Sequence, residues 1–133
     1  RVFVAGPSGS GKTSLLSLVS GIVVPEAGDV AVLGTSLRSL GGAARDRFRA
    51  AHIGLIFQLF NLLPYLSVLD NVLLGCHYAA ARAQRAAARS GSPRAEALRL
   101  LTSLGLDAIT CSRAVTALSV GQQQRVAAAR ALI

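Results

Sequence analysis

Eight residues, Gly6-Pro7-Ser8-Gly9-Ser10-Gly11-Lys12-Thr13, match the pattern G-x-x-x-x-G-K-[ST] and leave the chain around them few options. The pattern calls for a strand before it and a helix after it. Val2-Phe3-Val4-Ala5 reads as a short apolar strand, and Lys12 to Ser20 as a helix with Leu15, Leu16, Leu18 and Val19 on its apolar side. Glycine lets successive backbone N–H groups turn inward around an anion. A helix that starts where the loop ends adds its positive dipole end. On this reading the stretch from Gly6 through Gly11 to Ser14 cradles the phosphates of a nucleotide. Lys12 reaches the β- and γ-phosphates, and the Thr13 hydroxyl binds a Mg²⁺ that bridges them. The plain alternative is a glycine-rich turn without a ligand. Lys12 is the only lysine in the chain, and its place in the pattern favours the phosphate reading.

Downstream, Gly21 is a stop for the first helix, and Pro25-Glu26-Ala27-Gly28 is a turn into a second strand, Asp29 to Leu33. Residues 34–44 read as loop, and Arg45 to Ala51 as a short basic helix. His52 to Phe57 is nearly continuous in apolar residues, as a buried strand would be. An apolar loop follows Gln58 and ends at Pro64. A long helix is expected from about Ser67 to Arg89, with Ser67 and Asp70 at its start. Val68, Val72, Cys76, Ala79 and Ala83 form its apolar stripe, and Arg82, Arg85 and Arg89 share a solvated face. Ser90-Gly91-Ser92 breaks the chain, Pro93 opens another helix, and Gly105 ends it. A last helix begins near Ser119. This order describes an α/β domain carrying a helical insertion.

A phosphate loop alone does not choose among GTPases, kinases, helicases and transport ATPases. The stretch Leu118-Ser119-Val120-Gly121-Gln122-Gln123-Gln124-Arg125-Val126-Ala127-Ala128-Ala129-Arg130-Ala131-Leu132 does. It resembles the signature and following helix of ABC ATPases, with Val120 departing from the usual Leu-Ser-Gly-Gly-Gln core. Ser119 and Gln122 also have the S-x-x-Q spacing of a capping box, and a helix start with a serine hydroxyl is itself an anion site. The resemblance implies that Ser119, Gly121 and Gln122 face the γ-phosphate of ATP held by a second subunit. Phe57-Gln58 resembles the family's Q-loop, where the glutamine amide touches Mg²⁺ or orients the attacking water. The stretch from Ile53 to Val72 looks like the lipoprotein-release and macrolide-export branch, and its apolar loop Leu59 to Leu66 either receives a coupling helix from a membrane permease or packs internally.

The implied architecture is a P-loop NTPase with a RecA-like core and an inserted ABC α-helical subdomain. Residues 1–66 would carry the phosphate loop and Q-loop, 67–120 the helical subdomain, and 119–133 the signature helix. The implied activity is ATP hydrolysis driving export or lipoprotein release, with ATP and Mg²⁺ as cofactors. The implied partners are a second ATP-binding subunit, in a homodimer, and a permease at the cytoplasmic face of the membrane. The family's Walker B aspartate, catalytic glutamate and switch histidine are expected after Ile133, so the 133 residues are expected to be inactive alone.

The formal charge of +8 raises the alternative of a nucleic-acid-linked ABC ATPase. The arginines are scattered, however, with few aromatics among them for base stacking, and no specific nucleic acid is expected. A third reading is a nucleotide-gated structural module, as in cell-division relatives. Cys76 and Cys111 have no partner at ligand spacing and read as reduced core thiols.

Overall fold

The computed structural model describes residues 1–133, which fall into two units, Arg1–Arg49 and Ala50–Ile133. In the first unit α1 spans Lys12–Val19. Gly21 then turns the chain at φ 70°, a left-handed backbone that glycine adopts without a Cβ clash. A small antiparallel hairpin pairs β1 (Ala31–Val32) with β2 (Thr35–Ser36), Ala31 opposite Ser36 and Val32 opposite Thr35. The Asp29 carboxylate accepts from the Ser36 hydroxyl at 2.9 Å and the Val30 amide at 2.8 Å, fixing the hairpin's base. The Ser36 bond is the main reason the Asp29 carboxyl titrates below its ordinary value. Helix α2, Gly42–His52, starts three residues earlier than its basic run suggests. Arg45 and Arg49 both donate to the Gly21 carbonyl, at 3.1 and 3.2 Å, and hold α2 against the end of α1. Leu37 is the one buried apolar side chain of this unit.

The second unit is helical. It contains α3 (Val68–Tyr78), α4 (Ala80–Ser90), α5 (Pro93–Ser103), the single turn α6 (Ala108–Cys111), a 3₁₀ turn at Val115–Ala117 and α7 (Val120–Leu132). Its core gathers Val68 and Val72 from α3, Ala86 from α4, Leu101 from α5 and Val126 and Ala129 from α7, all fully buried. Most starts carry a local signal, although α4 has no side-chain cap. Ser67 caps α3, Ser92 caps α5 with Pro93 in first position, and Asp107 caps α6. Cys76 and Cys111 are free and buried, and burial raises both thiols.

Three expectations are corrected. Val2–Ala5 and residues 52–57 form no strand, because no ladder joins either to another segment. An apolar run becomes a strand only when a neighbour supplies the hydrogen bonds. Val2 and Phe3 stay 93% and 91% exposed. The segment read as loop, 34–44, contains β2 and the start of α2, and the second strand is only two residues long. The long helix from Ser67 to Arg89 is two helices, broken at Ala79 with φ −137° and ψ 97°. No glycine or proline marks that break, and nothing in the neighbouring residues explains it. Its effect is clear on Arg82, which lies buried rather than on a solvated face. The guanidinium donates to the Ile53 carbonyl at 3.0 Å and the Arg130 carbonyl at 3.5 Å, while Nε has no partner.

The fully buried Glu96 carboxylate of α5 ties α4 to α5. It accepts two bonds from Arg99, both 2.8 Å, and one from the Ser90 hydroxyl. The Arg99 guanidinium, with help from Ser90, lowers its pKa to about 2 from 4.5. A carboxyl lowered on folding contributes stability that is complete above the unfolded value and lost as pH falls through the folded one. Unfolding of the second unit by urea should therefore become easier between pH 4.5 and pH 2. The expected loss is on the order of 2 kcal/mol, after allowing for solvent around Arg99. In Glu96→Gln this pH dependence should flatten.

Candidate functional site

The phosphate-loop pattern folds into a cradle within the first unit. Residues Ser8 to Ser14 line a recess of about 330 Å³. Gly9 and Gly11 hold φ 82° and 84°, where an L side chain is strained. A Cβ on Gly6 would stand 2.7 Å from the Ser10 hydroxyl, so a larger residue there would push aside a side chain that Lys12 holds. Gly11 is the N-cap of α1 and no side chain caps that helix, which leaves its first-turn N–H groups facing the recess. The Lys12 ammonium donates to the carbonyls of Gly6 (2.7 Å) and Pro7 (2.6 Å) and to the Ser10 hydroxyl (3.1 Å). Those bonds draw the loop round a single cation. Thr13 and Ser14 are exposed at the first turn of α1. Backbone donors, one ammonium and hydroxyls make a receptor for a polyanion, and the loop has the shape and chemistry to hold a triphosphate.

The other two motifs lie in the second unit. Gln58 is exposed and opens the turn 58–61. Phe60 and Asn61 then sit at φ 59° and 48°, two consecutive non-glycine residues in the left-handed region. Such a pair needs outside support, at a cost of roughly 1–2 kcal/mol per residue. Arg130 of α7 supplies it, donating to the Asn61 carbonyl at 2.6 Å and also to the Phe60 carbonyl. Burial of this guanidinium lowers its pKa. Further along, the fully buried Asn71 amide fixes the rest of the loop. It donates to the carbonyls of Leu63 and Ser67, both at 3.0 Å, and accepts from the Leu63 amide at 2.8 Å. Asn71→Ala should leave those loop groups without partners. We expect a loss of about 2 kcal/mol in the unfolding free energy of the second unit, measured by urea denaturation.

At the start of α7 the spacing of Ser119 and Gln122 forms a complete capping box. The Gln122 amide donates to the Ser119 hydroxyl at 3.3 Å, and the Ser119 amide to the Gln122 side chain at 3.0 Å. Ser119, Val120 and Gly121 are exposed around this helix end, and Val120 turns its side chain outward. Beside the loop after Gln58 lies a cavity of about 600 Å³, lined by Leu63, Tyr65, Leu66, Leu73 and His77 among others. Sequence reasoning named Gln58, Ser119, Gly121 and Gln122 as candidates and did not name Asn71 or Arg130, which hold the loop. Asn71 carries one usable signal, a buried-helix position occupied by an amide. Arg130 carries none, since its partners lie about seventy residues earlier.

The whole chain, residues 1–133, matches the family described as ABC transporter. It is 41% identical over 133 residues to the lipoprotein-releasing system ATP-binding protein LolD of Chromohalobacter salexigens, covering 100% of this chain and 53% of that protein. It is 40% identical to the macrolide export ATP-binding/permease protein MacB of Rhodopirellula baltica, covering 99% of this chain and 18% of that one. Both resemblances agree with the branch read from residues 53–72. Among solved structures, the dimeric bacterial ABC transporter cassette MJ0796 superposes with a TM-score of 0.80 at 36% identity, over 95% of this chain and 53% of that one. The same cassette in a post-hydrolysis state, bound to ADP and Pi, gives 0.79 at 35% identity. The chain spans about half the length of the LolD proteins it matches. No helix is long and apolar enough to cross a membrane. The glycine cradle, the capped signature helix and the α/β cassette fold of these structures agree, and the chain belongs to the ABC transporter family.

Proposed function

We propose that this chain is the phosphate-binding and signature-bearing part of an ATP-binding subunit that drives export or lipoprotein release through a membrane permease. The observation that carries the reading is the cradle of Ser8–Ser14, closed by Lys12 and opening on the uncapped start of α1. Gly9, Gly11 and the first N–H groups of α1 bind the phosphates, and Lys12 exchanges its loop carbonyls for the β- and γ-phosphate oxygens. Mg²⁺, when bound, would offset the negative charge of those phosphates. Thr13 would offer its hydroxyl to that ion, and the Gln58 amide would hold the ion or the attacking water. Ser119, Gly121 and Gln122 offer the start of α7 to ATP on a second copy of the subunit. This assigns residues 1–66 to the core, 67–120 to the helical subdomain and 119–133 to the signature helix.

The cavity beside Leu63, Tyr65 and Leu66 is the surface we assign to the permease. An exposed apolar loop next to a cleft suits an inserted helix. The protein would then sit peripherally at the cytoplasmic face of the membrane. The arginines argue against a nucleic-acid role. Arg38, Arg45, Arg82, Arg85, Arg125 and Arg130 all donate to backbone carbonyls, so much of the positive charge has a structural use. The test is titration of the full-length protein with a fluorescent ATP analogue, with and without Mg²⁺, and recovery of the membrane partner by affinity purification. Saturable, Mg²⁺-strengthened binding and a copurifying permease support the reading. A flat titration sinks it, and salt-sensitive retention of DNA or RNA would favour the nucleic-acid alternative.

A further inference from the structure

The turn that carries Gln58 is held at both ends by arginines from the helices behind it. On its N-terminal side, Arg85 of α4 donates to the Ala51 carbonyl and Arg82 to the Ile53 carbonyl at 3.0 Å. On its C-terminal side Arg130 donates to Asn61 and Phe60. Arg82 also reaches the Arg130 carbonyl at 3.5 Å, so the two anchors meet on the last turns of α7. The same turns press on Gly54, where a Cβ would lie 2.1 Å from the Ala131 carbonyl oxygen. Ser119 and Gln122 stand at the other end of that single helix, thirteen residues long.

We propose that Arg130 is a positioning residue that sets the conformation of the Gln58 turn and links it mechanically to the signature helix. The proposal rests on the role given to Gln58 above. A two-pronged guanidinium fits the task, because its planar fork gives each carbonyl its own nitrogen, Nη1 to Asn61 and Nη2 to Phe60, in one fixed plane. Phe60 is the bulky residue in the left-handed region, and its carbonyl is one of the two held. A backbone kept in a sparsely populated conformation persists only where its surroundings impose it. Loss of the guanidinium therefore lets the turn relax and carries the Gln58 amide away from its place. A shift of α7 against the helices around it would move the turn in the same way.

The test uses the full-length protein carrying Arg130→Lys or Arg130→Gln. Hydrogen exchange of the 57–63 segment should quicken at least fivefold in both, while amides within α3 and α5 keep their protection. ATP affinity should stay within twofold, because Ser8–Ser14 build the cradle and Arg130 is not among them, and kcat should fall at least tenfold. In a Gln58→Ala background, Arg130→Lys should lower kcat by less than twofold, since the group it positions is gone. Unchanged exchange at 57–63 overturns the tether, and so does a quickening spread evenly over α3 and α5. Additive losses of kcat overturn the link to Gln58. If the wild-type protein binds no ATP, the functional reading fails on its own account, and the exchange result still decides the tether.

Discussion

Lys12→Ala in the full-length protein is expected to weaken MgATP binding by at least 100-fold. The Lys12 ammonium makes three hydrogen bonds to the loop, to Gly6, Pro7 and Ser10. A ligand phosphate competes for the same donors. Bonds between a cation and an anionic oxygen contribute about 1.5–3 kcal/mol each, and two of them account for a hundredfold or more. The substitution also removes the pin that gathers the loop, so the backbone N–H groups lose their convergence. Lys12→Arg should not rescue, because a planar fork is too large for a space bounded by the Gly6 and Pro7 carbonyls. Titration with labelled ATP reads the effect directly. Near wild-type affinity in Lys12→Ala would remove the phosphate cradle from the account of this protein.

The largest effect on stability is expected at Gly54. Gly54→Ala places a Cβ 2.1 Å from the Ala131 carbonyl oxygen and 2.9 Å from its carbon. Both are backbone atoms of the last turn of α7, so no side-chain rotation relieves the contact. Either the segment before Gln58 or the end of α7 must move by more than an ångström. Arg82 and Arg130 bind on either side of this point and would lose their geometry with it. We expect a loss of about 3 kcal/mol or more in the unfolding free energy of the second unit, at the upper end of overpacking. Gly75→Ala is the useful comparison, since its Cβ would meet side chains alone, Arg82 Cδ at 3.1 Å and Ile133 Cγ2 at 3.5 Å. Urea denaturation of both variants separates backbone from side-chain crowding.

What could be read from the sequence follows the range of the interaction. Ser119 and Gln122 are three residues apart, and their spacing gave a capping box that forms as read. Gly9, Gly11 and Lys12 likewise shape a local loop. Ser67, Pro93 and Gly105 mark helix ends from within their own turns. The failures are of two kinds. Val2–Ala5 and His52–Phe57 have the apolar pattern of strands, but hydrophobicity does not provide a hydrogen-bonded neighbour. Arg82, Arg85 and Arg89 share a helix face, yet the break at Ala79 and the carbonyl of Ile53 draw the first of them inward. Arg130 is the extreme case. Its partners at Phe60 and Asn61 become visible only when the chain has folded back on itself.

The division of apolar burial between the units has a thermodynamic consequence. Leu37 is the lone core side chain before Ala50, whereas the helices beyond it share a continuous interior. Within these 133 residues the cradle thus belongs to the unit with fewer buried apolar side chains, and a bound nucleotide would add to its order. Ligand held at a hundred times its dissociation constant adds about 2.7 kcal/mol to whatever it binds. Heating with and without ATP should then separate two melting events, the lower one moving with nucleotide concentration while the upper one stands still.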